Sequence, residues 1–199
     1  MKAATARVLV MLSAFVAGLV LFSAIILLVS GRTSTTMAPQ AAAIGGPFRL
    51  VNQDGKQTTE QDFKGKPFLV FFGFTHCPEV CPTALFEVSE IFRQLGADAD
   101  RARALFITVD PERDTPEKLK DYLSSFDPHL SALTGDPAAI AAVTKSYRVY
   151  SKKVPLEGND YTMDHTAIVY LMDKEGRFVA PFNLKRRSEE AAAELRRYL

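Results

Sequence analysis

The stretch that decides the fold is residues 71–82, FFGFTHCPEVCP, which contains the two cysteines of the 199-residue chain, Cys77 and Cys81. The apolar run that ends in this stretch predicts a buried strand. Apolar residues at helical spacing follow over residues 83–88, so we expect a helix directly after the second cysteine. Pro82 suits the first position of that helix, because the N–H that proline lacks would have no partner there. The two thiols are therefore predicted at a strand-to-helix connection.

This position suggests a chemistry for the thiols. The free N–H groups and the dipole at a helix N-terminus favour negative charge, so we expect a lowered thiol pKa and a reactive thiolate. The spacing is Cys-x-x-x-Cys, one residue wider than the Cys-x-x-Cys of thioredoxin-type motifs. Two such thiolates either close into a disulfide or hold one soft ion, such as Cu(I). Two cysteines cannot complete a tetrahedral site, which leaves His76, His129 and His165 as candidates for a third ligand.

Composition limits the class of partner. The chain has 24 basic and 23 acidic residues, with a formal net charge of +1. The basic residues Lys2, Arg7 and Arg32 all precede Phe48, so the remainder of the chain is about neutral. A neutral domain lacks the positive surface that nucleic-acid binding needs, and we expect no nucleic-acid partner. Two cysteines are also too few for a disulfide-dense secreted scaffold.

The beginning of the chain predicts a membrane anchor. Residues 8–29 contain no charge, and at about 1.5 Å per residue they span roughly 33 Å, enough for a bilayer core of about 30 Å. Positive charges in residues 1–7 predict a short cytoplasmic N-terminus and an exported domain. We therefore expect a single-pass protein of a bacterial inner membrane whose soluble domain faces the periplasm. A cleaved signal peptide is the alternative, because residues 41–43 loosely resemble a cleavage site.

The rest of the chain predicts one linker and one domain. Residues 30–46 are rich in Thr, Ser, Ala, Gly and Pro and predict a flexible linker before a domain over residues 47–199. Strands alternating with helices, and a closing hairpin and helix, predict an α/β fold with a thioredoxin-like mixed central sheet flanked by helices. Residues 149–161 are polar and predict a loop or an irregular hairpin. The predicted strands lie near residues 48–51, 57–59, 67–74, 104–109, 130–133, 167–172 and 177–180, and the predicted helices near residues 82–95, 116–125, 137–147 and 188–199.

Three segments of the chain resemble the motifs of one protein family. Residues 73–82 are similar to the first motif of the Sco/SenC family, membrane-anchored copper proteins that assist cytochrome c oxidase assembly. Residues 108–116, TVDPERDTP, are similar to its second motif, and residues 161–166, YTMDHT, to its third. The similarity extends over residues 47–199, and the single N-terminal span also matches the family.

The resemblance implies that Cys77, Cys81 and His165 bind one copper ion, as Cu(I) or Cu(II). Two thiolates suit Cu(I), and an added imidazole also accommodates Cu(II). An inert disulfide is the alternative for the cysteines, although a bridge over so short a loop adds little stability. An ordinary histidine at a strand start is the alternative for His165. Thioredoxin-like proteins usually carry a cis-proline in the loop before this strand, and its replacement here by residues 164–166, DHT, favours a ligand.

Five other polar residues are candidates for supporting roles. His76 is next to the first cysteine, but neighbouring side chains on an extended backbone point apart, so we expect it to support the site rather than bind the ion. His129 is predicted to be a surface residue. Asp110, Asp114 and Asp164 are candidates for contacts to the ligands or to a partner, with turn and capping roles as the alternative.

The expected function is a copper metallochaperone rather than an enzyme. The resemblance implies delivery of copper to the dinuclear copper centre of cytochrome c oxidase subunit II. The expected partners are that subunit, a periplasmic copper donor or thiol reductant, and the membrane. The alternative is a thiol–disulfide oxidoreductase that uses Cys77 and Cys81 as a redox pair to keep the oxidase cysteines reduced. A redox or copper sensor is a third hypothesis.

Overall fold

The computed structural model describes residues 15–26 and residues 43–199. The chain divides into two compact units, Met1–Ala42 and Ala43–Leu199. In the first unit, residues 15–26 are helical and their side chains are exposed. In the second unit, the strands and helices surround one apolar core.

The predicted membrane anchor extends beyond the part of the chain that the structure describes. Residues 8–29 begin before and end after the helical residues 15–26, and the predicted N-terminus, residues 1–7, lies wholly outside the described ranges. Within those ranges, none of the helices combines the length and the apolar character that crossing a membrane requires. Of the predicted linker, residues 30–46, the structure describes the last four residues, which fall in the second compact unit.

A mixed seven-stranded sheet forms the centre of the second unit. The nine strands are β1 (Arg49–Asn52), β2 (Gln57–Thr59), β3 (Phe68–Gly73), β4 (Arg103–Thr108), β5 (Leu130–Thr134), β6 (Ser151–Pro155), β7 (Tyr161–His165), β8 (Val169–Met172) and β9 (Phe178–Phe182). The order in the large sheet is β2-β1-β5-β4-β3-β8-β9. Strands β3, β4 and β5 are parallel, and the other neighbours pair antiparallel. Strands β6 and β7 form a separate antiparallel hairpin.

Strand β3 is the structural centre of the unit. All six of its residues are buried, as its continuous apolar sequence predicts for a strand covered on both faces. Phe71 pairs with Phe106 of β4 on one side and with Val169 of β8 on the other. The chain leaves β3 at Gly73, so the cysteine stretch begins at the carboxyl end of the most buried strand.

Four α-helices flank the sheet: α1 (Val80–Leu95), α2 (Pro116–Leu123), α3 (Pro137–Ser146) and α4 (Ser188–Arg196). Helix α1 packs against α4, α2 against β5, and α3 against β1. Thr115 caps α2, because its side chain accepts a hydrogen bond from the Lys118 amide, and Asp136 does the same for α3 through Ala139. The predicted α/β fold with a central sheet between helices is confirmed.

The structure corrects three details near the cysteines. Helix α1 begins at Val80 with Glu79 as its N-cap, so Pro82 is the third helical residue and not the first. Proline is accepted there because none of the first N–H groups of a helix has an intrahelical partner. The polar segment that includes residues 149–161 contains the regular hairpin β6–β7, and His165 ends β7 rather than starting the next strand.

Candidate metal centre

The three predicted ligands lie near the carboxyl end of β3. Cys77 is half-buried in the loop after β3, Cys81 is fully buried in the first turn of α1, and both are free thiols. His165 lies 84 residues beyond Cys81, yet its Nε2 is 3.8 Å from the Cys81 Sγ. The Cys81 amide donates a hydrogen bond to the Cys77 Sγ at 3.4 Å. The fold therefore brings together residues from two distant segments.

A glycine makes room for the buried sulfur. A Cβ atom on Gly73, the last residue of β3, would lie 2.7 Å from the Cys81 Sγ and 2.6 Å from the Phe106 Cε2. Real Cβ atoms essentially never come so close to a heavy atom. The hydrogen atom of Gly73 is therefore what allows the Cys81 side chain to sit between α1 and the sheet.

Burial also changes the acidity of this thiol. It raises the pKa of Cys81 well above its ordinary value, and the nearby Cys77 and Asp114 raise it further, while a backbone hydrogen bond at Phe74 acts in the opposite direction. The expectation that the helix N-terminus lowers the thiol pKa is thus wrong for Cys81. Taking the sulfur out of water outweighs the helix dipole.

The His165 ring is held in one orientation. It packs edge-on against Phe71, at 6.4 Å between ring centroids, and against Phe74, at 5.8 Å. Its Nδ1 lies 3.2 Å from the Thr166 carbonyl oxygen. A carbonyl only accepts hydrogen bonds, so Nδ1 carries the proton and Nε2 presents its lone pair towards Cys81. This is the arrangement in which metal-binding imidazoles are usually held.

The distance between Cys81 and His165 fits a shared ion. Bonds as long as those of zinc, about 2.3 Å to sulfur and about 2.0 Å to nitrogen, at a tetrahedral angle would place the two ligand atoms about 3.5 Å apart. The observed separation is 3.8 Å. In the described part of the chain, no group of three or more His, Cys, Asp or Glu side chains is arranged as a complete metal site. The preformed part of the centre is therefore the Cys81–His165 pair, with Cys77 beside it.

Asp114 holds the cysteine loop in place through hydrogen bonds. Its carboxylate is fully buried and accepts hydrogen bonds from the Thr75 amide at 3.1 Å, the Thr75 hydroxyl at 2.6 Å and the Thr108 hydroxyl at 2.6 Å. These bonds tie the loop after β3 to the end of β4. Asp110 is also buried and receives hydrogen bonds from Arg113 and Tyr161. Asp164, in contrast, is exposed.

The other two histidines lie apart from the Cys81–His165 pair. His76 is exposed, and its Nδ1 lies 3.1 Å from the Thr75 hydroxyl oxygen. His129 lies near the amino ends of the parallel strands, at the opposite end of the sheet. Of the predicted surface position of His129, the structure shows a partly exposed side chain. Its side chain is only 20% exposed, stacks on Phe92, and lies 2.6 Å from the Asp127 carboxylate.

No functional role was predicted from the sequence for Gly73, Arg113 or Tyr161. Gly73 shapes the space for the buried sulfur, while Arg113 and Tyr161 join the loop after β4 to the hairpin that ends in His165. All three residues lie inside the recognised motifs, at residues 73–82, 108–116 and 161–166. The sequence signal that could have identified them is therefore their position inside these motifs.

Comparison with known proteins identifies close relatives. The family model described as SCO1/SenC matches residues 36–199. A solved structure of Bradyrhizobium japonicum ScoI with copper bound is 68% identical, with a TM-score of 0.77, and the match covers 79% of this chain and all of that chain. BsSco, described as a member of the Sco family of cytochrome c oxidase assembly proteins with a disulfide switch, is 26% identical with a TM-score of 0.62, covering 80% of this chain and 95% of that chain.

The chain also resembles longer curated proteins. Protein SCO1 homolog 1, mitochondrial, of Arabidopsis thaliana is 45% identical over 142 residues, which are 69% of this chain. The same match spans 42% of the length of that relative.

Proposed function

Because the chain belongs to the SCO1/SenC family, we propose that it binds copper and assists the assembly of cytochrome c oxidase. The observation that carries the proposal is the 3.8 Å contact between the Cys81 Sγ and the His165 Nε2, across 84 residues of chain. The copper-bound structure of a relative that is 68% identical supports copper as the ion.

The proposed ligands are Cys77, Cys81 and His165, for one copper ion per domain. Thiolates select Cu(I), and an imidazole adds the nitrogen that Cu(II) prefers. A bound cation supplies the positive charge that a buried Cys81 thiolate needs, since a thiol that coordinates a metal loses its proton. The tautomer of His165, the space beside Gly73 and the position of Cys77 all fit such a site.

We further propose that the ion is passed to the dinuclear copper centre of cytochrome c oxidase subunit II, and that a periplasmic copper donor or thiol reductant supplies the domain. Three protein ligands leave an open position through which an ion can be exchanged. An apolar groove of about 600 Å³ lies next to the cysteine loop, and the exposed Val80 and Ile168 line it. Exposed apolar surface of this kind favours a protein partner.

The proposed location is the bacterial inner membrane. Residues 1–7 would lie in the cytoplasm, residues 8–29 would form the anchor, residues 30–46 the linker, and residues 47–199 the periplasmic copper domain. The charge asymmetry around residues 8–29 supports this orientation. Alkaline phosphatase fused after Gly46 should be active, whereas an inactive fusion with an active cytoplasmic reporter at the same position would overturn the orientation.

A thiol–disulfide oxidoreductase remains the second candidate function. Two free thiols four residues apart, one half-buried and one buried, are compatible with a reversible disulfide, and a disulfide switch is described for the relative BsSco. In this function Cys77 and Cys81 would keep the oxidase cysteines reduced. Repeated turnover of a disulfide substrate by the domain, without stoichiometric copper uptake, would favour the enzyme over the metallochaperone. A sensor that signals through the anchor is a third candidate.

The ligand assignment is tested by loading variants separately with Cu(I) and Cu(II). His165→Ala should keep much of the Cu(I) binding, because the two thiolates satisfy that ion, and should lose most of the Cu(II) binding. Cys77→Ser and Cys81→Ser should weaken both. The measurements are copper content and the visible thiolate-to-Cu(II) absorption band.

His76→Ala is the matched control, since this exposed histidine is adjacent to the cysteine loop but does not contact Cys81. As a residue that is not a ligand, it should change both forms of copper binding much less than the ligand variants do. Loss of the Cu(II) band in His76→Ala, with an unchanged band in His165→Ala, would show that the wrong histidine was assigned.

A further inference from the structure

The hairpin β6–β7 delivers His165 to the cysteines without being part of the large sheet. Among residues 15–26 and 43–199, its two strands pair only with each other, from Ser151 opposite His165 to Pro155 opposite Tyr161. The position of His165 therefore depends on what holds the hairpin against the rest of the domain. Because a metal ligand has to be placed within a fraction of an ångström, these contacts matter for the site.

Strand β7 turns one face towards the domain. Side chains alternate along a strand, so Tyr161, Met163 and His165 share a face, and Thr162 and Asp164 share the other. Met163 packs against the apolar core, and the His165 ring rests on Phe74. Asp164 is exposed, as expected for the outer face. The inner face is thus attached at three points, and Tyr161 is the one farthest from the cysteines.

Arg113 holds the Tyr161 end of this face. The Arg113 Nη1 donates to the Tyr161 carbonyl oxygen at 2.9 Å, and its guanidinium carbon lies 3.7 Å from the centre of the Tyr161 ring. The Arg113 Nε donates to Asp110 at 2.5 Å, and the Tyr161 hydroxyl donates to the same carboxylate at 2.8 Å. Arg113, Asp110 and Tyr161 therefore contact one another, and we call these three residues the arginine clamp. The Arg113 Nη1 also lies 3.2 Å from the carboxylate of the exposed Asp160.

The clamp is well shielded from water. The side chain of Arg113 is 15% exposed and that of Asp110 is 2% exposed. The ammonium group of Lys153 lies 4.1 Å from the centre of the Tyr161 ring and pairs with Glu112 at 2.7 Å. A charged pair shielded in this way interacts more strongly than a surface pair, so its loss is expected to loosen the hairpin at the Tyr161 end.

Arg113 also lies near Phe74, the ring against which His165 packs. Its guanidinium carbon is 6.0 Å from the centre of the Phe74 ring, and Phe74 packs edge-on against His165. One side chain thus contacts both the strand that carries His165 and the ring that orients it. The Arg113 Nη2 is buried without a hydrogen bond among the described residues, so the clamp acts through Nε, Nη1 and the tyrosine ring.

We propose that Arg113 is a positioning residue for the metal centre: by clamping β7 it keeps the His165 Nε2 in reach of Cys81. The inference rests on the proposed copper function and adds a residue that touches neither the thiols nor the imidazole. Without the clamp, the two cysteines stay in place in the loop after β3 and on α1, while the histidine is held less firmly. The effect of Arg113 on copper binding therefore passes through His165.

The test compares Arg113→Met with Arg177→Met in the full chain. Arg177 is the matched control, because it is exposed and pairs with Asp173 and Glu175. In the metal-free protein, NMR should show that Arg113→Met moves the His165 ring protons towards the positions of an unpacked histidine, while Arg177→Met leaves them in place. In the loaded protein, Arg113→Met should weaken Cu(II) binding about tenfold or more and Cu(I) binding much less.

A double mutant separates positioning from general damage. In a His165→Ala background, adding Arg113→Met should cause no further loss of Cu(II) binding, because the residue through which it acts is already gone. Tyr161→Phe, which removes only the hydroxyl bond to Asp110, should give a smaller effect of the same kind. If Arg113→Met fails to fold, Arg113→Lys, which keeps the charge without the planar fork, should still shift the His165 resonances.

Two results would overturn the inference. One is an equal loss of Cu(I) and Cu(II) binding in Arg113→Met with unchanged His165 resonances. The other is that Arg113→Met weakens Cu(II) binding by the same factor in the His165→Ala background as in the unsubstituted protein. Failure of the proposed copper function would look different, because the unsubstituted protein would then take up no copper. The NMR comparison of the metal-free proteins would still test whether Arg113 positions His165.

Discussion

At the scale of single residues, the candidate centre depends on one missing side chain. Cys81 is fully buried and Phe106 fills the space below it, so the sulfur fits only because Gly73 has no Cβ. The buried sulfur explains both why the thiol is less acidic than the helix N-terminus suggests and why a cation would be needed to keep it ionised. Glycine here serves packing, since its backbone is that of an ordinary strand residue.

Gly73→Ala should therefore damage stability and copper binding together. The added methyl meets the Cys81 Sγ and the Phe106 ring, and overpacking of this kind costs about 1–3 kcal/mol of unfolding free energy. Urea unfolding and Cu(I) titration of the same samples measure the two effects. In a Phe106→Leu background, which removes the ring, the added cost of Gly73→Ala should be smaller. An equal cost in both backgrounds would show that the methyl is accommodated in another way.

At the scale of elements, the cysteine loop is tied to β4 by Asp114. Asp114→Ala should leave the Thr75 amide and the hydroxyls of Thr75 and Thr108 without their acceptor, at about 1–3 kcal/mol for each buried group that stays unpaired. The matched control is Asp136→Ala, which removes an exposed cap and should cost about 1 kcal/mol. Chemical denaturation measures both, and a smaller loss for Asp114→Ala than for Asp136→Ala would contradict this role.

Much of the architecture could be predicted from local sequence. The apolar run of β3 and the helical spacing after the second cysteine each express a preference of a few neighbouring residues, and the structure confirms a buried strand and a helix there. The regular hairpin β6–β7 was not predicted as such, because Ser151–Pro155 is polar and lacks the apolar alternation of a typical strand. Its stability comes instead from long-range contacts, such as those of the arginine clamp.

The candidate ligands could be proposed from the sequence, but the burial and contacts around them could not. The motifs drew attention to Cys77, Cys81 and His165, and the structure brings them to one end of β3. The raised pKa of Cys81 depends on burial that a spacing rule does not report, because the space beside it is shaped by residues from β3 and β4. Similarly, the burial of His129 depends on Phe92 and Asp127.

At the scale of the whole molecule, the folded unit should be independent of the segment before it. A fragment of residues 43–199 should unfold cooperatively and take up copper, because the core and all three motifs lie within it. A fragment of residues 47–199 should do the same but be less stable by about 1–2 kcal/mol, since it lacks the packing of Ile44 and the hydrogen bond from the Gly45 amide to Ser146. Thermal and urea unfolding compare the two. Equal stabilities would place the boundary at residue 47.

The contact between Cys81 and His165 has a consequence for how the molecule comes apart. The two residues are separated by 84 positions, and that interval contains β4, β5, the hairpin and three helices or parts of helices. An ion held at both ends would act as a removable crosslink that closes a large ring of chain. In the chain-entropy description, closing such a ring restricts the unfolded state by on the order of 4 kcal/mol. The domain would then either unfold with the ring still closed or release the ion first. Metal release and unfolding would become competing processes that start from the same metal-bound folded state.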